Sequence, residues 1–206
     1  MDQTLLIVFN LAVLIFSIVI HEVSHGLAAY KLGDTTAKQA GRLSLNPIKH
    51  LEFTGSFLVP LISYLFGGFV FGWAKPVPYN PYNLKDQKWG PAIVALAGPS
   101  SNFMVALVFG LSLRFSETFP FSAGLGISLI SYINLMLGVF NLMPVPPLDG
   151  SKILAPFLPY KYENWLLNLE RYGFFLVFVF IMFLFPVIAK IIPPLFRLIT
   201  GFPAIF

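Results

Sequence analysis

Four long apolar stretches, separated by segments that hold most of the charge, organise this chain. They run roughly from Leu5 to Tyr30, Gly90 to Leu113, Phe121 to Met143 and Gly173 to Ile192. A bilayer core takes about 20 helical residues to cross, so each stretch is long enough, or nearly so, to span one. The first is the cleanest: from Leu5 to Ile20 only Asn10 and Ser17 are polar. A fifth stretch, Phe57 to Gly72, is shorter and broken by Pro60 and by Gly67-Gly68. It runs into "FVFGWAKPVPYN", whose alternation and Val, Phe, Trp and Pro content suit extended structure better than helix. The pattern predicts an all-α polytopic membrane protein with about four transmembrane helices and a re-entrant or β-hairpin segment around 57–80.

Composition agrees. The chain is 57% hydrophobic and only 11% charged, against about 25% charged in soluble domains. Its 206 residues suggest one membrane-embedded domain, 1–206. The first segment lacks a basic leader and a small-residue cleavage site, so it reads as a retained span. With no cysteine, disulfides and thiolate metal sites are excluded, and any metal must be held by nitrogen and oxygen. The net charge of +4 calls for no nucleic acid, because basic loops orient membrane proteins.

Those basic residues choose between two topologies. If 57–72 crossed the membrane, lysine and arginine would divide almost evenly between the two sides. If it re-enters and returns, Lys31, Lys38, Arg42, Lys49, Lys75, Lys85, Lys88, Lys152, Lys161 and Arg171 share one face, leaving only Arg114, Lys190 and Arg197 opposite. The positive-inside rule favours re-entry and puts the N-terminus outside a cell inner or plasma membrane. Non-helical backbone at that depth is tolerated only beside protein or water, so the segment should line a cavity.

The first span ends in "HEVSH". On a helix, His21 and His25 lie four apart on one face, the spacing at which two imidazoles bind one Zn²⁺ with Glu22 beside them as general base. Hydrolytic zinc takes three protein ligands and keeps a place for water. The metzincin third histidine is absent, Lys31 standing there instead. Asp149 is the best remaining candidate: "NLMPVPPLDGSKI" is a rigid, proline-flanked turn directly after the third span. Only the re-entrant topology brings Asp149 and the histidines to the same face, the cytoplasmic one. Charged groups at bilayer depth cost roughly 2.5–3.5 kcal/mol each on insertion scales, which makes an idle cluster improbable.

"HEVSH", "AGPSSN" and "NLMPVPPLDG" together resemble the site-2 protease family of intramembrane zinc metalloproteases, in particular its small bacterial members without PDZ or CBS domains. "GRLSLNPIKHLEFTGSFLVP" and "FGWAKPVPYNP" extend the likeness over about Ile15 to Phe175. The resemblance implies His21, His25 and Asp149 as ligands of one Zn²⁺, Glu22 as catalytic base, and a transmembrane protein as substrate within the lipid bilayer. It departs at Glu52 and Phe53, where family members often carry Asp and Pro. Three further residues are candidates for substrate or oxyanion contact. Asn102 follows the helix-breaking Gly98-Pro99 by about a turn, Asn141 precedes Pro144 by a turn, and His50 lies in a loop able to fold over the site. The alternative function is a zinc-binding membrane chaperone or scaffold without proteolytic activity. Homo-oligomerisation is left open, and "IIPPLFRLITGFPAIF" suggests no function.

Overall fold

In a computed structural model, residues 2–59, 61, 65, 74–115, 120–159, 168–169 and 171–203 are described. Helix α1 (Gln3–Lys31) is followed by a short α2 (Thr36–Gln39), then by α3 (Gly90–Phe115), α4 (Phe121–Asn141) and α5 (Asp149–Leu154). The C-terminal span is segmented into α6 (Gly173–Val179), a π turn (Phe180–Leu184), α7 (Phe185–Ile188), a 3₁₀ turn (Ala189–Ile191) and α8 (Ile192–Thr200). Among the described residues, four helical runs are apolar and long enough to cross a membrane: Gln3–Lys31, Gly90–Phe115, Ala123–Asn141 and Phe175–Thr200. The chain is thus an all-α multi-pass membrane protein, as the hydrophobic pattern predicts. The fourth span runs further than the pattern suggests. Pro186, Pro193 and Pro194 sit in the first turns of α7 and α8, where a missing N–H costs nothing, so they segment the helix without ending it.

Most of the predicted re-entrant segment, 60, 62–64 and 66–73, lies outside the described residues. Its C-terminal part, 74–80, forms no strand among the described residues; Pro76 and Pro78 each remove a ladder donor. The amides of Lys75, Val77 and Asn80 bond instead to neighbouring loops and to α1. Lys75 N–H donates to the His50 carbonyl at 2.9 Å, and the Arg42 guanidinium donates to the Lys75 carbonyl at 2.7 Å.

Helix α3 is the hub, packing against α1, α4, α5 and α8. The core between α3, α4 and α8 is built on Ala106, Leu135, Val139, Ile192 and Phe196. At the far end, Arg114 donates to the Leu198 carbonyl at 2.6 Å and ties α3 to α8. A second cluster, Leu148, Val177 and Phe180, seats the turn before α5 on the last span.

The end of α1 is set by a Schellman motif: Asp34 N–H bonds the Ala29 carbonyl and Gly33 N–H that of Tyr30, with Gly33 at φ +110°. That turn delivers Asp34, fully buried, into a clamp. Its Oδ1 accepts from the Thr36 amide and hydroxyl and from Asn83 Nδ2, and its Oδ2 accepts from Asn80 N–H at 2.7 Å. Burial works against the charge, but the hydrogen bonds from Thr36, Asn83 and Asn80 outweigh it and hold the carboxyl below its ordinary value of 3.8. A depressed carboxylate contributes stability above its unfolded pKa and loses it as pH falls through the folded value. The Asn80 amide should therefore keep its hydrogen-exchange protection down to about pH 4 and lose it progressively below. Asp34→Ala should remove that protection at neutral pH, since each donor left buried and unpaired costs about 1–3 kcal/mol.

Candidate metal centre

His21 lies 18 residues into α1, about 27 Å along its axis, close to the ~30 Å thickness of a hydrocarbon core. At this depth an unpaired polar group is expensive, and the structure supplies a partner for the Nδ1 atom of both imidazoles. His25 Nδ1 is 2.7 Å from the Val94 carbonyl on α3. A carbonyl only accepts, so Nδ1 carries a proton, and in the neutral ring Nε2 keeps its lone pair. His21 Nδ1 is 2.6 Å from Asn102 Oδ1, also on α3. Two bonds fix that amide: its Nδ2 donates to Asn134 Oδ1 on α4 at 3.0 Å and more weakly to the Ser17 carbonyl at 3.4 Å. His21 too therefore presents an unprotonated Nε2.

Those two nitrogens converge on Asp149. The Nε2 atoms are 3.0 Å apart, and Asp149 Oδ2 lies 3.0 Å from His21 Nε2 and 3.3 Å from that of His25. Oδ2 is buried and has no hydrogen-bond partner of its own. With both rings neutral, three lone pairs meet with no proton among them, an arrangement that repels itself unless a cation lies at the centre. One added proton would satisfy one pair of the three; a divalent ion satisfies all. Arms of 2.0–2.1 Å in a tetrahedral site separate donor atoms by about 3.3 Å, which suits zinc. These residues form the one His/Cys/Asp/Glu group among the described residues that offers three donor atoms to a metal.

Backbone close approach puts Asp149 there. It opens α5 directly after the turn 142–148, and Gly150 lies so near the carbonyls of Leu142 and Met143 that any side chain would collide with them. Ser151 Oγ caps the turn by donating to the Leu148 carbonyl at 2.7 Å. Glu22, next to His21 and one turn from His25, is half-buried, and its Oε2 accepts from the Val77 N–H at 2.8 Å. The 74–80 segment therefore runs alongside the donor group.

The other candidate residues fall elsewhere. Asn102 is fully buried, its amide committed to His21, Ser17 and Asn134. His50 is also buried, its Nε2 on the Ser44 carbonyl, where its loop holds Lys75. Asn141 is half-buried and donates to the Leu137 carbonyl one turn back. Asn134 and Ser17 carry no proline or metal-ligand signature of their own; a lone polar residue in an otherwise apolar span is the available signal.

Fold and donor set define a multi-pass membrane protein with a His–His–Asp group able to hold a metal, at the C-terminal half of its first helix. The model of peptidase family M50, the site-2 protease family, matches residues 9–126 and 123–185, and the chain belongs to that family. It is 38% identical over 190 residues to the "putative zinc metalloprotease YwhC" of Bacillus subtilis, covering 88% of this chain and 83% of the relative. It is 30% identical over 169 residues to the "putative zinc metalloprotease Rip2" of Mycolicibacterium smegmatis, covering 82% of this chain but 64% of that longer protein. The "putative zinc metalloprotease MJ0611" of Methanocaldococcus jannaschii is 29% identical over 163 residues, 72% of this chain and 76% of its own. No solved structure matches significantly. The chain is accordingly a site-2-type zinc metalloprotease.

Proposed function

We propose that this chain is an intramembrane zinc endopeptidase that hydrolyses peptide bonds in or near transmembrane segments of membrane proteins. In this reading it works as one membrane-embedded domain, with His21, His25 and Asp149 as ligands and Glu22 as general base. The observation that carries it is the meeting of three potential ligand atoms 3.0–3.3 Å apart, two of them on a helix of membrane-spanning length and the third on the short helix α5. Bound there, Zn²⁺ supplies a Lewis acid that polarises the scissile carbonyl and brings the pKa of water to about 7.

The chain's own residues do the rest. Val94 and Asn102 hold the two imidazoles in the tautomer that faces the ion. Glu22, anchored through Oε2 by Val77, takes the proton of the attacking water as the new C–O bond forms. It returns that proton to the nitrogen as the C–N bond breaks, so that the amine leaves neutral. Asn141 is the candidate for substrate contact, whereas Asn102 and His50 serve by positioning, since both are buried with partners of their own. The basic loops favour an N-terminus outside and a site towards the cytoplasmic face of the cell membrane.

Terminal-amine proteomics of native membranes incubated with parent protein tests the reading. Cleavage within or beside spans should vanish when zinc is stripped and return with stoichiometric zinc but not with magnesium. Cleavage by the stripped protein at the parent rate would overturn it.

A further inference from the structure

A line of polar groups runs through the apolar core behind His21, and its far end lies on a helix that contributes no metal ligand. Ser17 is on α1, Asn102 on α3 and Asn134 on α4; both asparagines are fully buried and Ser17 nearly so. Asn134 Nδ2 donates to Ser17 Oγ at 2.8 Å and to the Ile130 carbonyl at 2.9 Å. Its Oδ1 accepts from Asn102 Nδ2 at 3.0 Å, and Asn102 Oδ1 in turn faces His21 Nδ1 at 2.6 Å. The Ile130 carbonyl dictates the orientation of the Asn134 amide, because a carbonyl can face only the NH₂ end. The Asn134 oxygen in turn sets that of Asn102, whose contact with the Ser17 carbonyl is long at 3.4 Å.

We propose that Asn134 is a positioning residue for the metal centre: it fixes the tautomer of His21 by locking which way the Asn102 amide points. The inference rests on His21 being a ligand. With Asn134 in place, the Asn102 NH₂ group has a good acceptor, and its oxygen is left for His21 Nδ1–H. Without Asn134, the NH₂ group keeps only the long bond to the Ser17 carbonyl. The amide is then released to turn and donate to His21 Nδ1. That moves the ring proton to Nε2, the atom that has to face the ion. The hydroxyl of Ser17 completes the lock by accepting from Asn134, so three helices share the setting of one imidazole. Elsewhere, groups that orient a histidine from behind change metal affinity about 10- to 100-fold when removed.

The experiment compares purified parent, His21→Ala, Asn134→Leu and the double variant Asn102→Asp/Asn134→Leu in detergent. Zinc affinity is measured by chelator competition and zinc-free stability by thermal unfolding. Asn134→Leu should bind zinc about 10- to 100-fold more weakly. Its zinc-free melting falls as well, since a buried donor loses its partner, so the His21 tautomer and the recovery in the double variant carry the test. The double variant should recover affinity, because a carboxylate has no donor to turn towards His21. The chain has three histidines, so nitrogen-15 spectra of histidine-labelled, zinc-free protein at alkaline pH can resolve His21. That ring should pass from the Nδ1–H to the Nε2–H form in Asn134→Leu and back in the double variant. Asn134→Ser, whose hydroxyl is too short to reach Asn102, should give the same loss and covers the case in which leucine prevents folding. Parent affinity or an unchanged tautomer in the Asn134 variants, or loss without recovery in the double variant, would overturn the proposal. Should His21→Ala keep its zinc, the ligand assignment itself fails, which is a separate result.

Discussion

Glu22→Gln should hold as much zinc as the parent and cleave membrane substrates about 10²- to 10⁴-fold more slowly, the usual contribution of a positioned general base. Glutamine has nearly the same shape as glutamate and keeps an amide oxygen for the Val77 N–H that Glu22 Oε2 accepts at 2.8 Å. The 74–80 segment therefore stays beside the site, and the variant removes only the ability to take a proton. Zinc content by elemental analysis and cleavage rates in the same vesicles are the two measurements needed. A scaffold that merely binds zinc predicts the opposite split: Glu22→Gln leaves the cellular phenotype intact and His21→Ala abolishes it. Parent-rate cleavage by Glu22→Gln would rule out the base assignment and leave the metal group standing.

The spans, and the grouping of His21, His25 and Asp149, were legible in the sequence because each leaves a mark that costs energy to keep. Uninterrupted apolar runs have no other use in water, and ionisable groups at membrane depth need a reason. Asp149 was reachable despite a separation of more than a hundred residues, since charge bias and ligand geometry selected the same topology. The supporting residues left weaker marks. Asn102 was read from its place after Pro99 as a substrate contact, yet its amide oxygen faces the imidazole of His21. Asn134 sits inside an apolar helix with no turn residue near it. An intramembrane amide carries one signature whether it glues helices, orients a ligand or meets substrate, and only the partners distinguish these roles. Asp34 leaves no mark in the sequence, because a carboxylate in a loop is ordinarily solvated, whereas here Asn80, Asn83 and Thr36 close around it. Backbone donors leave no trace in side-chain pattern, so Val94 and Val77 were invisible until α3 and the 74–80 segment were placed.

Glycines show the same limit, and one of them yields the sharpest structural prediction. Gly98→Ala should abolish stable zinc binding, a loss of more than about 100-fold in affinity, beyond the range for groups that only orient a ligand. A Cβ at position 98 would overlap His25 Nε2 itself and lie 2.6 Å from His21 Cε1. Neither ring can retreat cheaply: His25 is held to Val94 and His21 to Asn102, both on the same helix as Gly98. Moving α3 away from α1 would break both bonds at once. Backbone conformation adds to the cost, because Gly98 precedes Pro99 within α3 and a Cβ there also crowds the proline ring; zinc affinity is therefore read against the variant's zinc-free melting. Gly124 in α4 is the matched control, with nothing within 4 Å of its would-be Cβ. Gly124→Ala should keep full zinc affinity and gain up to about 1 kcal/mol of helix stability. Chelator competition on the two variants, with membrane insertion checked by protease protection, separates loss of the site from loss of the fold. If Gly98→Ala binds zinc as the parent does, α3 does not pack against the imidazoles as described, and the tautomer argument built on Val94 and Asn102 goes with it.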